Sequence, residues 1–154
     1  MPDLFLITGI PGTGKTELGK KLVKDCGFVH YDLEDLNNFN LLFANPTQFI
    51  GDIIQASGGA VATWGFVPDH QASVSIVLQL KTAGFKLIWF DGNRPAALRA
   101  FLQRGTVPEL LFYLQMYRIE ASKIIDTIKP VVIDPFDAQG KFKATAILLA
   151  EMKQ

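Results

Sequence analysis

Eight residues near the start of the chain, GIPGTGKT at positions 9–16, constrain the fold more than any other segment. They continue the apolar run LFLITGI, which predicts a buried strand, and lead into ELGKKLVKDCG, where Leu18, Leu22 and Val23 share one face of a predicted helix. A strand, a glycine-rich turn and a helix in this order gather backbone N–H groups and a helix N-terminus around one point. The segment therefore predicts an anion-binding turn within an α/β fold.

The spacing of this turn matches G-x-x-x-x-G-K-[ST], the phosphate-binding loop or P-loop. Glycines let the backbone approach an anion closely, Lys15 is placed to reach β- and γ-phosphates, and the Thr16 hydroxyl is placed for Mg²⁺. The residues expected to bind a nucleoside triphosphate are Gly9, Pro11, Gly12, Thr13, Gly14, Lys15 and Thr16. The alternative interpretation is a tight strand–helix turn with an idle lysine.

Apolar runs and helical patterns alternate along the rest of the chain. Further strands are predicted at FVHYDL, GGAVATWGFV, FKLIWFDG and PVVIDPF. Residues 34–57 are predicted to be mostly helical, with a break near ANPT where Thr47 is a possible cap of a second helix. Further helices are predicted over HQASVSIVLQLKTAG, RPAALRAFLQRG, residues 108–128 and KATAILLAEMK. Strands that lack polar alternation and are separated by helices predict a mostly parallel sheet covered on both faces.

Length and composition narrow the class of protein. The 154 residues fit one domain, and 49% hydrophobic with 19% charged residues indicate a globular chain. Fifteen basic and fifteen acidic residues give a net charge of zero, which disfavours a general nucleic-acid binder without excluding a local basic groove.

Cysteine content and hydropathy bear on the compartment. Cys26 is the single cysteine, which excludes an intrachain disulfide framework, suits a reducing compartment and is expected to be buried. The N-terminal apolar run has no preceding basic residues, and no window has the roughly eighteen apolar residues that a membrane helix needs. We expect a cytoplasmic protein that binds no membrane.

At this length and order of elements, the chain resembles the small P-loop kinases, the adenylate-kinase-like group that includes shikimate kinase, gluconate kinase and polynucleotide kinase. The P-loop is the specific part of the resemblance. It implies a three-layer sandwich in which helices flank a five-stranded parallel sheet of order 2-3-1-4-5. It also implies ATP with Mg²⁺ as the donor and transfer of the γ-phosphoryl group to a small hydroxylated or phosphorylated acceptor, by a monomer or homodimer.

Three carboxylates follow the second predicted strand in HYDLEDL: Asp32, Glu34 and Asp35. Ligands of open parallel sheets gather beyond the carboxyl ends of the strands, and a hydroxyl acceptor needs a carboxylate that takes its proton. Shikimate kinases carry Asp-x-Asp here, and Asp32 with Glu34 resembles that pair. Asp32 is thus the predicted base or magnesium-side acid, and all three are predicted to bind the acceptor. The alternative is that Asp32 or Asp35 caps the next helix.

The resemblance also implies a lid that begins at an arginine after the fourth-strand helix. Arg104 occupies that place and is predicted to contact the transferring phosphates, since a guanidinium is bidentate and permanently charged. The predicted lid spans about residues 104–118, between core segments 1–103 and 119–154, and Arg118 is predicted to clamp the acceptor. The alternative for Arg104 is a cation at a helix C-terminus. An equally good interpretation of Arg118 is a residue on the solvent-exposed face of its helix, and Arg94 is a weaker phosphate candidate.

A second magnesium-supporting acid is expected at the end of an apolar strand. Asp91 after KLIWF has the right local pattern, whereas the resembled kinases place this acid after the third strand, where Asp69 comes late. The predicted metal-binding residues are Thr16, Asp32 and Asp91. An equally good interpretation is that Asp91 caps the following helix.

Two other functions remain open from the sequence. One is a polynucleotide 5′-kinase, which the zero net charge and the absence of a Lys/Arg run disfavour. The other is a nucleotide-binding or ATPase module that acts through a protein partner, because GIPGTGKT is also similar to the loop of AAA-type ATPases.

The third-strand exit WGFVPDHQ lines the acceptor pocket in related kinases, although Trp64 and Phe66 are more often core residues and His70 a helix-start residue.

Overall fold

A computed structural model describes residues 2–56, 58–105 and 107–154. Met1, Ser57 and Thr106 lie outside the described residues, so the predicted helical segment 34–57 and the predicted lid 104–118 each include one such position. The described elements are β1 (Asp3–Gly9), α1 (Lys15–Cys26), β2 (Val29–Asp32), α2 (Leu36–Ala44), α3 (Pro46–Ala56), β3 (Gly59–Thr63), α4 (Gln71–Thr82), β4 (Lys86–Phe90), α5 (Arg94–Leu102), α6 (Glu109–Ser122), α7 (Ile124–Ile128), β5 (Val131–Ile133) and α8 (Thr145–Lys153).

The five strands form one parallel sheet in the order β2–β3–β1–β4–β5. This confirms the predicted order and the three-layer architecture. The central strands are mostly apolar because both faces of the sheet are covered, and β3 is buried at every position.

Alternate residues of each central strand enter two separate hydrophobic cores, since side chains of a strand point to opposite faces. Leu6 and Trp89 lie in the larger core, with residues of α3 to α7. Phe5 and Ile88 lie in the smaller core, with residues of α1 and α8. The sheet is therefore the middle layer between two layers of helices.

Three local predictions differ from the structure. The helix predicted over residues 108–128 is divided into α6 and α7 at Lys123, whose φ of 54° is left-handed. Asn45 rather than Thr47 lies at the start of α3 and accepts the Gln48 N–H at 3.2 Å, with Pro46 in the first helical position that suits proline. Cys26 is exposed, because it ends α1 outside both cores.

The topology fixes where a ligand can bind. Strand β1 lies between β3 and β4. After β1 the chain forms β2 and β3 on one side of it and then β4 and β5 on the other side, so the strand order reverses at the carboxyl end of β1. Such a switch point opens a crevice in doubly wound sheets. The turn at residues 10–14 stands at this crevice and is tied to the sheet by the Ile10 N–H, which donates to the Phe90 carbonyl at 3.0 Å. No helix among the described residues is long and apolar enough to cross a membrane.

Candidate active site

The P-loop adopts a conformation that only glycine accommodates at its turning points. Gly12 and Gly14 have φ of 78° and 70°, in the left-handed region. A Cβ atom on Gly12 would overlap the Ala97 carbonyl oxygen of α5, and one on Gly14 would lie 3.0 Å from the Phe142 ring. Because α1 begins at Lys15, directly after this turn, its free N–H groups and its positive dipole end face the loop. The cradle fits the oxygens of a polyphosphate.

The ammonium group of Lys15 is folded back into the loop. Its Nζ donates to the Ile10 carbonyl at 2.9 Å and lies 3.3 Å from Thr13 Oγ1, which itself donates to the same carbonyl at 2.9 Å. Burial lowers the pKa of Lys15 to about 8, an effect that Arg104 reinforces and Glu34 opposes. The loop therefore holds a desolvated cation that a phosphate anion can pair with.

This burial predicts an unusual dependence of stability on pH. The folded pKa of Lys15, about 8, lies below its unfolded value of 10.5, so between these values the unfolded chain binds more protons and stability rises with pH. Between pH 7.5 and 10 the free energy of unfolding is expected to gain about 2 kcal/mol from Lys15. Lys15→Met is expected to lack this gain. Urea unfolding of the unmodified protein and of Lys15→Met at the two pH values measures the difference between their gains in stability, in which the contributions of the other lysines and the tyrosines cancel. An equal rise in the free energy of unfolding of both proteins would contradict a lowered pKa of Lys15.

The three carboxylates after β2 have different positions. Glu34 Oε1 accepts the Gly65 N–H at 2.7 Å and lies beside the Lys15 side chain. Asp32 Oδ1 accepts the Glu34 N–H at 3.0 Å, within the turn that carries Glu34. Asp35 is the N-cap of α2, accepting from the two N–H groups at positions 37 and 38. Of the three, Glu34 is the one found among the described residues lining the P-loop cleft.

Two arginines face the same cleft. Arg104 follows α5, with its guanidinium 5.6 Å from the centre of the Phe101 ring, and lowers the pKa of Lys15 through its charge. Arg118 on α6 also lines the cleft, but it is paired with Asp69 through bonds of 2.6 and 3.3 Å. This pairing raises the pKa of Arg118 and lowers that of Asp69.

Asp91 lies in a different ion-pair network. Both its carboxylate oxygens accept from Arg94, at 3.1 and 3.0 Å, and Arg94 also donates to Glu120 at 2.8 Å. The cap of α5 is Asn93, which accepts the Ala96 N–H at 3.0 Å, so the capping interpretation of Asp91 is wrong. Neither Asp91 nor Asp32 is among the described residues that line the cleft. Their magnesium roles stay predictions.

Thr16, in the first turn of α1, is the predicted metal-binding residue that does line the cleft. The described residues contain no group of three or more His, Cys, Asp or Glu side chains able to hold a metal ion. A cation would therefore take most of its ligands from the nucleotide and from water, as Mg²⁺ commonly does at phosphates.

A second cavity adjoins the P-loop cleft and shares lining residues with it. The cleft has a volume of about 620 Å³ and the neighbouring cavity about 730 Å³. Both are lined by Glu34, Gly65, Phe66, Val67 and Arg118. Two adjoining spaces of this size can hold a nucleotide and a small second molecule.

The third-strand exit, which the resemblance indicated as pocket lining, does line the second cavity, whereas Phe142 was missed. Trp64 and Phe66 belong to the core, as predicted, yet they also line the second cavity. His70 stands at the N-cap of α4 and its Nδ1 lies 2.7 Å from Ser73 Oγ. The Phe142 ring packs on Gly14 and stacks on Phe136 at 4.7 Å, an arrangement for which the sequence gives no signal.

Solved structures of P-loop kinases have this fold. Shikimate kinase from Bacteroides thetaiotaomicron matches with a TM-score of 0.63 at 13% identity, over 99% of both chains. The tunicamycin resistance protein of Deinococcus radiodurans matches with a TM-score of 0.63 at 14% identity, over 99% of this chain and 94% of that chain. A gluconokinase from Sinorhizobium meliloti gives a TM-score of 0.58 at 15% identity, over 98% of this chain and 89% of that chain.

These similarities confirm, at the level of the fold, the resemblance predicted from the P-loop. By sequence, no protein-family model matches the chain, and a search of curated proteins gives no significant match. The similarity is therefore one of fold, shared with solved structures of a shikimate kinase and a gluconokinase.

Proposed function

We propose that this protein is an ATP-dependent kinase that transfers the γ-phosphoryl group of ATP to a hydroxyl group of a small molecule. The observation that carries the proposal is the position of Glu34, beside Lys15 and at the junction of the two cavities. An ATPase needs only the first cavity, whereas a kinase needs an adjoining site for its acceptor. The similarity of the fold to shikimate kinase and a gluconokinase supports the same reaction class.

On the nucleotide side, the P-loop N–H groups and Lys15 bind the β- and γ-phosphates. Thr16 is the residue that would hold Mg²⁺, which when bound neutralises charge on the phosphate oxygens. Arg104 lines the same cleft and stabilises the negative charge that develops on the transferring group. We propose that residues 104–118 act as the lid that brings this arginine to the phosphates.

On the acceptor side, we assign the general base to Glu34 rather than to Asp32. The Glu34 carboxylate faces the junction of the cavities, while Asp32 holds the turn that carries Glu34. The acceptor oxygen forms the new bond to γ-phosphorus, the bond from γ-phosphorus to the β–γ bridging oxygen breaks, and the acceptor proton passes to Glu34. Asp32 is then a positioning residue.

The proposal is tested by incubating the protein with Mg·ATP and a panel of polyols, hydroxy acids, nucleosides and oligonucleotides with free 5′-hydroxyl ends. ADP formation is expected to rise at least about tenfold with a small acceptor over the acceptor-free rate. A coupled ADP assay and mass spectrometry of the products measure this. Transfer to an oligonucleotide end would instead indicate a polynucleotide kinase, and turnover that no acceptor alters would indicate an ATPase module. Either result contradicts the proposal.

A further inference from the structure

The second cavity restricts which acceptors this kinase can take; the inference that follows rests on the proposed function. Among the described residues its charged lining consists of two carboxylates, Glu34 and Asp69, and one guanidinium, Arg118. Its remaining lining is His70, Ser73, Gly65, Val67 and the aromatic residues Phe39, Trp64 and Phe66. A cavity that selects anions would hold an excess of cationic side chains, which this one lacks.

The single guanidinium of the cavity already has an anionic partner. Arg118 Nη2 donates to Asp69 at 2.6 Å and its Nε donates to the same carboxylate at 3.3 Å. Both side chains are about half exposed, so the pair itself stabilises the fold little. An anionic acceptor that displaced Asp69 would nevertheless gain nothing, because it would exchange one carboxylate for another and leave Asp69 unpaired in the same cavity.

Glu34 adds a second obstacle to anions. Its carboxylate lines both cavities and receives one hydrogen bond, from the Gly65 N–H at 2.7 Å. Lys15 is its cationic neighbour, and in the proposed reaction that ammonium pairs with the phosphates. A carboxylate or phosphate on the acceptor would therefore approach a like charge, because the described cations of the adjoining cleft that have no anionic partner, Lys15 and Arg104, are assigned to the phosphates of the nucleotide.

The aromatic lining supplies the attraction that charge does not. Trp64 and Phe66 are 3% and 7% exposed, with ring centres 5.5 Å apart, so the base of the cavity is apolar and firmly packed. Phe39 of α2, whose ring lies 4.4 Å from that of Phe43, forms a more exposed wall. Such a surface binds flat apolar groups.

We infer that the acceptor is a hydroxyl compound with a flat apolar group and without an anionic group. Glu34 lines both cavities, whereas Phe39 and Trp64 line the second cavity and not the P-loop cleft, an arrangement that would place the hydroxyl toward the P-loop and the apolar group away from it. Asp69 is the specificity-determining residue, since it neutralises the one guanidinium that an acidic acceptor could use.

The first test uses matched acceptors that differ by one anionic group, such as 1-phenylpropan-2-ol with 3-phenyllactate, in which a methyl group and a carboxylate occupy the same place on the carbinol carbon. Phosphorylated product is expected from the uncharged members, with kcat/KM at least about tenfold above that of the anionic members. In Asp69→Asn the preference for uncharged members is expected to fall at least about tenfold, because Arg118 becomes free. Asp52→Asn, an exposed aspartate of α3 outside the cavity, is the matched control and keeps the preference.

The failures of the two proposals are distinguishable in this assay. Faster phosphorylation of anionic members by the unmodified protein overturns the inference and leaves the kinase proposal standing. If Mg·ATP binds and no member of any pair is phosphorylated, the kinase proposal is overturned and the inference with it.

A second test measures binding without turnover. Trp64 lines the cavity, and Trp89→Phe leaves it as the single tryptophan. Among the described residues Trp89 Nε1 has no hydrogen-bond partner, so the substitution breaks no hydrogen bond there, and its cost is the smaller ring left in the core beside Phe66. With Mg·ADP present, 2-phenylethanol is expected to change the Trp64 fluorescence at concentrations where phenylacetate does not, and adding Asp69→Asn is expected to admit phenylacetate. Equal or tighter binding of phenylacetate without the Asp69 substitution overturns the inference.

Discussion

Lys15→Met is expected to lower kcat/KM for phosphoryl transfer by about three orders of magnitude. Methionine has nearly the length of lysine but no charge, so the phosphates lose the cation that the loop holds at the Ile10 carbonyl. Burial makes the loss large, because a charge in a desolvated site interacts with an anion more strongly than one in water. Steady-state kinetics with Mg·ATP and calorimetric titration of ATP measure the two parts of the effect, on catalysis and on binding.

The matched control is Lys20→Met on the same helix. Lys20 is exposed, and its salt bridge among the described residues is a 3.4 Å pair with Glu17, so its removal is expected to change kcat/KM by less than about twofold. Circular dichroism and urea unfolding establish that both variants are folded. A folded Lys15→Met protein with the kcat/KM of the Lys20→Met protein would show that Lys15 is not the counter-charge of the phosphates.

The parts of the structure that sequence predicted are those set by local pattern. Strands without polar alternation predicted a sheet buried on both faces, and β3 is buried along its whole length. The spacing of the P-loop predicted its place between a strand and a helix, because the loop needs glycines at the positions where its φ angles are positive. Both signals act over a few residues and depend little on the rest of the chain.

The acidic residues were harder to assign because their partners are distant in sequence. Asp69 pairs with Arg118, forty-nine positions later, and Arg94 joins Asp91 to Glu120, twenty-six positions beyond Arg94. Spacing cannot indicate such pairs. The choice between Asp32 and Glu34 depends on the irregular turn after β2, in which one carboxylate bonds to the local backbone and the other reaches Gly65. No periodic pattern specifies side-chain direction in such a turn.

The division between α6 and α7 is a similar case. The sequence has no glycine or proline at positions 122–124, so a continuous helix to residue 128 was the natural prediction. Lys123 instead takes a left-handed conformation, and Ile124 and Ile128 of α7 are thereby buried in the larger core. Tertiary packing outweighs the local cost of about 1–2 kcal/mol for a non-glycine residue in that conformation.

Gly12→Ala is expected to destabilise the protein by about 3 kcal/mol or more and to abolish measurable ATP binding. The left-handed φ of 78° disfavours any side chain, and the added methyl group would overlap the Ala97 carbonyl oxygen, a backbone atom of α5 that cannot move aside alone. Urea unfolding gives the stability change, and calorimetry with Mg·ATP gives the loss of binding.

The matched control is Gly51→Ala in α3, where nothing lies within 4 Å of the new Cβ and φ is not positive. That substitution is expected to stabilise the protein by about 0.5–1 kcal/mol.

The contrast between the two alanines separates a general effect of removing glycine from a specific effect on the loop. A Cβ atom on Gly12 would meet α5 at Ala97 and at the Cβ atom of Phe101, three residues before Arg104. A displaced loop would therefore also move the helix end from which Arg104 reaches the cleft. We therefore expect Gly12→Ala to impair both the binding of phosphate by the P-loop and the contact of Arg104 with the phosphates. A Gly12→Ala protein as stable as the unmodified one, and still able to bind Mg·ATP, would mean that the loop is not held against α5 as described. The assignment of Arg104 to the phosphates would then lose its structural basis.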